Sequence, residues 1–196
     1  MVMARFLRLA AVTLTALFVA GGLLFAIGSA WDDPGGWTAL LVTLAIVVPL
    51  VVLTVLAAQD AELGFLVLAG AVGLFAAWMV LTLFVEVGEG PHLPVIALLL
   101  ALPSAVLGRR HPGRAGGLLL ALAAVPFADV LVRWFGERGA EGPGLLAILG
   151  GSTGAVVVPL AVLAVLFLVA GAAGHDNRGV PAGPQVKPPA RSPQHL

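Results

Sequence analysis

Six long apolar stretches, separated by short polar gaps, restrict this chain to a helical membrane fold. The stretches cover 6–30, 37–58, 63–85, 93–107, 116–135 and 145–173. A helix of about 20 apolar residues crosses the hydrocarbon core of a bilayer, and only the fourth stretch is clearly shorter than that. None of the stretches alternates in polarity as a membrane β-strand does. The sequence therefore predicts an all-α integral membrane bundle of six transmembrane helices.

The composition agrees with a membrane protein and excludes several functional classes. Hydrophobic residues make up 60% of the 196 residues and charged residues 10%, with zero net charge. The few basic residues are scattered, so no basic surface indicates nucleic-acid binding. The chain has no cysteine, which excludes disulfides and cysteine-ligated metals. Because hydrolase, phosphate-loop and dinucleotide motifs are also missing, we predict no enzyme and no cofactor.

The charges in the gaps predict how the chain is oriented in the membrane. The basic residues assigned to one side are Arg5, Arg8, Arg109, Arg110, Arg114, Arg178, Lys187 and Arg191, and those assigned to the other are Arg133 and Arg138. Short cytoplasmic loops are enriched in Arg and Lys. We therefore expect a bacterial inner-membrane protein with both termini in the cytoplasm. Residues 174–196 are polar and proline-rich, which predicts a disordered cytoplasmic tail.

The even-numbered helices indicate an internal repeat. Segment 47–56 matches segment 157–166 at eight of ten positions, and an interior proline occurs in each even helix, at Pro49, Pro103 and Pro159. These features predict three tandem helical hairpins of about 55 residues each.

Short motifs within residues 5–125 carry a resemblance to known proteins. They include an Arg-containing start, an apolar helix that ends in Gly and acids, and the turns Glu62-Leu63-Gly64 and Arg114-Ala115-Gly116-Gly117. This part of the chain resembles small multi-pass bacterial membrane proteins of unknown function, and His92-Leu93-Pro94 is similar to a helix start in some of them. The resemblance implies an architecture and no activity.

Asp129 and Arg133 are the first candidate functional residues, because an ionisable group inside an apolar helix is unfavourable unless it is paired or hydrated. They are four residues apart, on one face of the predicted fifth helix. One interpretation is an intrahelical ion pair near the interface, from which Arg133 reaches the headgroups. The other is a carboxylate that binds a proton or cation beside Pro126, where a backbone carbonyl loses its N–H partner.

Glu86, Glu89 and His92 are the second candidates, in the gap between the third and fourth predicted helices. Carboxylates and an imidazole can bind a divalent metal. The same spacing is common in solvated acidic turns, and this is the interpretation we adopt. We therefore predict no metal site.

The third candidate is the sequence Gly150-Gly151-Ser152-Thr153-Gly154, which interrupts the last apolar stretch. A straight helix over 145–173 would be about 44 Å long, against a hydrocarbon core of about 30 Å. The helix either tilts or breaks at the glycines and exposes backbone amides to a cavity. Close helix packing through Gly150 and Gly154 is the other interpretation, and the one we adopt.

Two functional hypotheses follow from these features. The first is a structural or accessory component that acts in the lipid bilayer through helix contacts with itself or another membrane protein. The second is a small channel or a proton- or cation-coupled transporter that uses Asp129 and the Gly150–Gly154 break. A transporter requires a polar cavity that reaches the middle of the membrane, whereas a structural component has a core filled by Leu, Val and Phe.

Overall fold

Six α-helices form the computed structural model, which describes residues 2–32, 36–82, 92–136 and 152–175. The helices are α1 (Val2–Asp32), α2 (Gly36–Gln59), α3 (Ala61–Thr82), α4 (His92–Leu107), α5 (Pro112–Gly136) and α6 (Ser152–His175). Among the described residues, the predicted all-α fold with six helices is confirmed. α5 begins earlier than predicted because proline is favoured in a first helical turn, where its missing N–H leaves no bond unmade.

Four of these helices are long and apolar enough to cross a membrane. By length and composition the spans are Arg5–Gly28, Gly36–Gln59, Ala61–Thr82 and Gly154–Ala173. The apolar segments in α4 and α5, Ile96–Leu107 and Pro112–Ala128, are shorter. This composition indicates a multi-pass membrane protein with about four spans among the described residues.

Helix α4 lies at the centre of the bundle and contacts each of the five other described helices. These five form a ring around it in the order α1, α2, α3, α5 and α6, and α6 closes the ring against α1. Ala97, Ala101 and Ala105 are completely buried on α4. Small side chains at intervals of four residues allow neighbouring helices to approach the backbone closely, which explains how one short helix accommodates so many neighbours.

Helices α5 and α6 form the most extensive helix pair among the described residues. Gly116 allows this approach, because a Cβ atom there would lie 2.7 Å from Leu168 Cγ and 3.0 Å from the Leu168 backbone nitrogen. Further along the pair, a Cβ on Gly171 would lie 3.2 Å from the backbone nitrogen of Gly113. Glycines therefore set the separation of these two helices.

A single residue, Asp60, separates α2 from α3. Its Oδ1 accepts hydrogen bonds from the backbone N–H groups of Glu62 and Leu63, at 3.0 and 3.1 Å. Asp60 thus caps the start of α3, where the first N–H groups have no partner within the helix. A Cβ on Gly64 would lie 2.7 Å from Ala57 Cα, so α2 and α3 also meet through small residues.

The packing agrees with the predicted repeat in the burial of matching residues but not in the positions of the three hairpins. Leu50 of α2 and Leu160 of α6 occupy matching sequence positions and are both buried, while Val52 and Val162 match and are both exposed. The three predicted hairpins do not occupy equivalent places, however, because the middle hairpin supplies the central helix α4. The tandem repeat stays a prediction.

Candidate functional site

A charged cluster joins the turn between α2 and α3 to the turn between α4 and α5. We call Gln59, Asp60, Glu62, Arg110 and Arg114 the turn cluster. Arg114 Nη1 donates a hydrogen bond to Glu62 Oε1 at 2.6 Å, which joins α5 to α3. Arg110 Nη1 donates to the backbone oxygen of Gln59 at 3.3 Å, and this oxygen is one of the last carbonyls of α2, which lack partners within the helix. The turn cluster therefore connects the ends of four helices.

The ion pair of the turn cluster is reinforced by an aromatic ring. The guanidinium carbon of Arg114 lies 5.0 Å from the centre of the Phe65 ring, a distance at which cation–π attraction operates. The pair is open to solvent, with 41% of the Arg114 side chain and 69% of the Glu62 side chain exposed. Exposed ion pairs contribute about 0–1 kcal/mol, so this pair aligns the helix ends more than it stabilises the fold.

The start of α1 lies at the same end of the bundle as the turn cluster. Asp32 ends α1 and Gly36 begins α2, and a connection of this length reaches at most about 14 Å. Because α1 and α2 also pack against each other, they run in opposite directions. The first turns of α1, which include Arg5 and Arg8, therefore lie at the end of the bundle where α2 ends. We call this end of the bundle the arginine-rich end. It holds every arginine whose side chain the structure describes: Arg5, Arg8, Arg109, Arg110 and Arg114.

Apolar side chains fill the interior of the described helices. Thr15 and Ser104 are the buried polar residues among the described positions. Each hydroxyl donates a 2.7 Å hydrogen bond to the carbonyl four residues earlier in its own helix, on Ala11 and Leu100 respectively. Because the hydroxyl protons are already used, these two residues do not form a polar path through the bundle.

An apolar groove opens sideways between α3 and α4. Its volume is about 600 Å³, and it is lined by Ala71, Leu74, Phe75, Ala77, Trp78, Leu81, Ile96 and Leu100. Leu74 and Trp78 are 73% and 47% exposed. The lining fits a hydrocarbon chain or the side of another helix, and its side chains offer one polar group, the indole N–H of Trp78. We call this feature the lateral groove.

Asp129 and Arg133 both lie in α5, as predicted, but their side chains are outside the described part of the structure. Pro126 is buried within the same helix. The ion-pair interpretation and the carboxylate-site interpretation therefore both stay predictions.

Glu86 and Glu89 lie outside the described residues, and His92 begins α4 with a side chain that is also outside them. Within the described ranges, no group of three or more His, Asp or Glu side chains could hold a metal ion. The prediction of a solvated acidic turn is left untested.

The glycine-rich candidate is divided by the start of α6. Gly150 and Gly151 lie outside the described residues, whereas Ser152 and Thr153 form the first turn of α6 and Gly154 is buried within it. The helix has 24 residues, which corresponds to about 36 Å. α6 is thus long enough to cross a bilayer without residues 145–151. Packing through Gly150 and Gly154, and the alternative break at these glycines, both stay predictions.

The turn cluster was not predicted, although the sequence contains a signal for it. Glu62 and Arg114 each stand two residues before a glycine, Gly64 and Gly116, and these glycines align in the predicted repeat. Opposite charges at matching repeat positions favour an ion pair when the repeats pack side by side. The lateral groove has no comparable signal, because α3 and α4 create it only through their three-dimensional packing.

Comparison with known proteins adds no family assignment: no protein-family model, curated protein or solved structure matches this chain. The resemblance to small multi-pass bacterial membrane proteins thus rests on the sequence motifs alone.

Proposed function

We propose that this protein is a structural or accessory membrane component that acts through lateral helix contacts with a second copy of itself or with another membrane protein. The observation that carries the proposal is the contrast between the filled apolar interior and the lateral groove. The buried hydroxyls of Thr15 and Ser104 are bonded within their own helices. The lateral groove offers about 600 Å³ of apolar space, and close van der Waals packing in such a space is one of the contributions that drive helix association in a bilayer.

In this proposal all six helices are embedded in the inner membrane of a bacterium, with both termini in the cytoplasm. α5 has 25 residues and is about 38 Å long, which suffices for a span. The shorter α4 is enclosed by the other helices. The arginine-rich end would face the cytoplasm, in keeping with the usual distribution of basic residues. The three tandem hairpins and the disordered tail at 174–196 belong to the same proposal, and we propose no catalytic role.

Energy transfer between labelled copies tests whether the lateral groove mediates self-association. The chain has no cysteine, so single-cysteine variants need no other change. Gly73→Cys places a label on α3 beside the groove, and Gly21→Cys places one on α1. The two are matched controls, because both glycines are exposed and a Cβ at either meets no atom within 4 Å. In liposomes we expect higher energy transfer between copies labelled at residue 73 than between copies labelled at residue 21. Unlabelled protein added in excess should abolish this energy transfer.

Cross-linking the same two variants in cell membranes tests for a different partner. A covalent adduct of defined mass that forms from residue 73 and not from residue 21 would support a second protein at the groove. Equal adducts from both positions, together with equal energy transfer, would contradict a role for the lateral groove.

Ion flux in liposomes separates this proposal from the channel or transporter that uses Asp129. We expect proton and sodium flux through reconstituted protein to equal that of empty liposomes, and Asp129→Asn to leave it unchanged. Flux that is clearly above the empty-liposome level and falls in Asp129→Asn would overturn the structural role.

A further inference from the structure

Arg8 occupies an unusual position at the arginine-rich end. It follows the spacing of Ala11, Thr15 and Val19, which are buried on one face of α1, because residues three or four apart share a helix face. Arg8 is half-buried, whereas Arg5 is exposed. The Nε of Arg8 is buried and has no hydrogen-bond partner in the described part of the chain.

An unpaired guanidinium N–H in such a position is unfavourable. Arginine stays charged and carries five N–H donors with no acceptor. Shielding one of these donors from water without a partner is unfavourable, and more so when the group is charged. An acceptor that is absent from the described protein atoms would remove this cost.

The acidic groups at the arginine-rich end are already engaged elsewhere. Glu62 accepts a hydrogen bond from Arg114, and Asp60 accepts two from the start of α3. The two acids face five arginines at this end among the described side chains. The local charge is therefore positive, and Arg8 has no carboxylate partner among those side chains.

We propose that Arg8 is the centre of a binding site for the phosphate of an anionic phospholipid. The arginine-rich end lies at the ends of membrane-length helices, where lipid phosphates are the prevailing anions. A phosphate oxygen can accept from the guanidinium in the forked geometry that arginine favours. Arg5 and Arg109 contribute longer-range attraction, worth about fivefold in affinity for each basic residue near a charged bilayer. The site requires insertion in a membrane and does not depend on the association role proposed above.

The test measures the stability of the purified protein in a zwitterionic detergent, with and without added phosphatidylglycerol. We expect phosphatidylglycerol to raise the unfolding midpoint of the wild type and phosphatidylcholine to have little effect. Arg8→Gln should weaken apparent phosphatidylglycerol affinity by about tenfold to a hundredfold, the range for a hydrogen bond to a charged group. The matched control Arg5→Gln, on the same helix, should weaken it by only about fivefold.

Each comparison is made within one variant, so a change in basal stability does not obscure the result. Arg8→Lys keeps the charge but loses the forked donors, and we expect an intermediate affinity. Equal losses of phosphatidylglycerol affinity in Arg8→Gln and Arg5→Gln would mean that the lipid is attracted by the general positive charge and not bound at a site. This result would overturn the proposal. So would an equal midpoint shift with inorganic phosphate alone, because the lipid would then be unnecessary.

The acidic residue that follows α6 in the sequence provides a last check. If Asp176→Asn and Arg8→Gln lower basal stability equally, and the double variant is no less stable than either, Arg8 pairs with Asp176 and the lipid site is excluded. Additive effects of the two substitutions, with phosphatidylglycerol binding retained in Asp176→Asn, support the lipid site.

Discussion

Helices α2 and α6 share a closely matching ten-residue segment and have different surroundings. Segment 47–56 of α2 is identical to segment 157–166 of α6 at eight of ten positions. Within the membrane-length window of each helix, 44% of the residues of α6 are buried in the protein, but only 11% of those of α2. Nearly the same apolar sequence therefore packs against protein in one helix and faces outward in the other.

The difference between the two helices arises from their neighbours. Lipid chains are as apolar as Leu and Val, so hydrophobicity does not by itself move a membrane helix from lipid into protein. α6 lies against α5, where Gly116 leaves room for Leu168. Small residues on the facing helix, and not the hydrophobicity of α6, account for the greater burial of α6.

The largest expected effect comes from closing the space between α5 and α6. Gly116→Leu would force the side chain into Leu168 and should lower the free energy of unfolding by about 3 kcal/mol, the upper part of the usual range for overpacking. Gly117→Leu is the matched control, since Gly117 is exposed and a Cβ there meets no atom within 4 Å. Thermal unfolding in detergent measures both. Equal destabilisation by the two variants would show that glycine spacing does not hold this pair.

Substitution by alanine should have a smaller effect on the free energy of unfolding, and this effect should differ between the matching positions Leu163 and Leu53. Leu163 of α6 is 3% exposed, whereas Leu53 of α2 is only partly buried. Leu163→Ala should lower the free energy of unfolding by about 2 kcal/mol, the lower part of the range for soluble cores, because lipid replaces water as the reference solvent. Leu53→Ala should have less than half of this effect in the same unfolding assay. An equal loss would mean that α2 is buried by a partner in the detergent-solubilised protein.

The Asp60 cap at the start of α3 should contribute about 1 kcal/mol to the free energy of unfolding. Asp60→Ala removes the oxygen that accepts from the N–H groups of Glu62 and Leu63, and loss of a cap of this kind typically has this magnitude. Asp60→Asn keeps an oxygen acceptor and should preserve most of the stability. Chemical denaturation of both variants would measure the difference. If Asp60→Asn were as unstable as Asp60→Ala, charge and not capping would be the stabilising property.

The smallest expected effect is at the ion pair between α3 and α5. Glu62→Gln should lower the free energy of unfolding by less than about 1 kcal/mol, because both side chains are exposed. High salt should reduce the effect further. The double reversal Glu62→Arg with Arg114→Glu should recover part of the loss, and a double-mutant cycle would measure the coupling. A loss above about 2 kcal/mol in Glu62→Gln alone, which exceeds the range for exposed ion pairs, would show that the pair supports the packing of the bundle.

The number and approximate position of the helices could be predicted because the signal is local. A run of apolar residues of bilayer length is visible in the sequence whatever surrounds it, and the short fourth stretch already marked α4 as different. The central place of α4 could not be predicted, because an apolar helix in a membrane carries no clear division into lipid-facing and protein-facing sides. The alanines at 97, 101 and 105 were the available clue.

The candidate sites were less predictable for a different reason. Ionisable residues inside apolar stretches draw attention to Asp129 and Arg133, whose partners depend on side chains that the structure does not describe. Arg8 was assigned only to a side of the membrane, because its place on the buried face of α1 depends on which face packs inward. The sequence alone does not define that face, since α1 is apolar around most of its circumference.

The closed ring around α4 has a consequence for the order of assembly. Synthesis proceeds from the N-terminus, so α4 emerges when only α1, α2 and α3 are present to surround it. The contact between α1 and α6 joins the first of the described helices to the last of them, and contacts between distant parts of a chain form slowly. The ring of described helices therefore cannot close until α6 has entered the membrane, and until α5 and α6 arrive the alanine face of α4 has no partner in either of them.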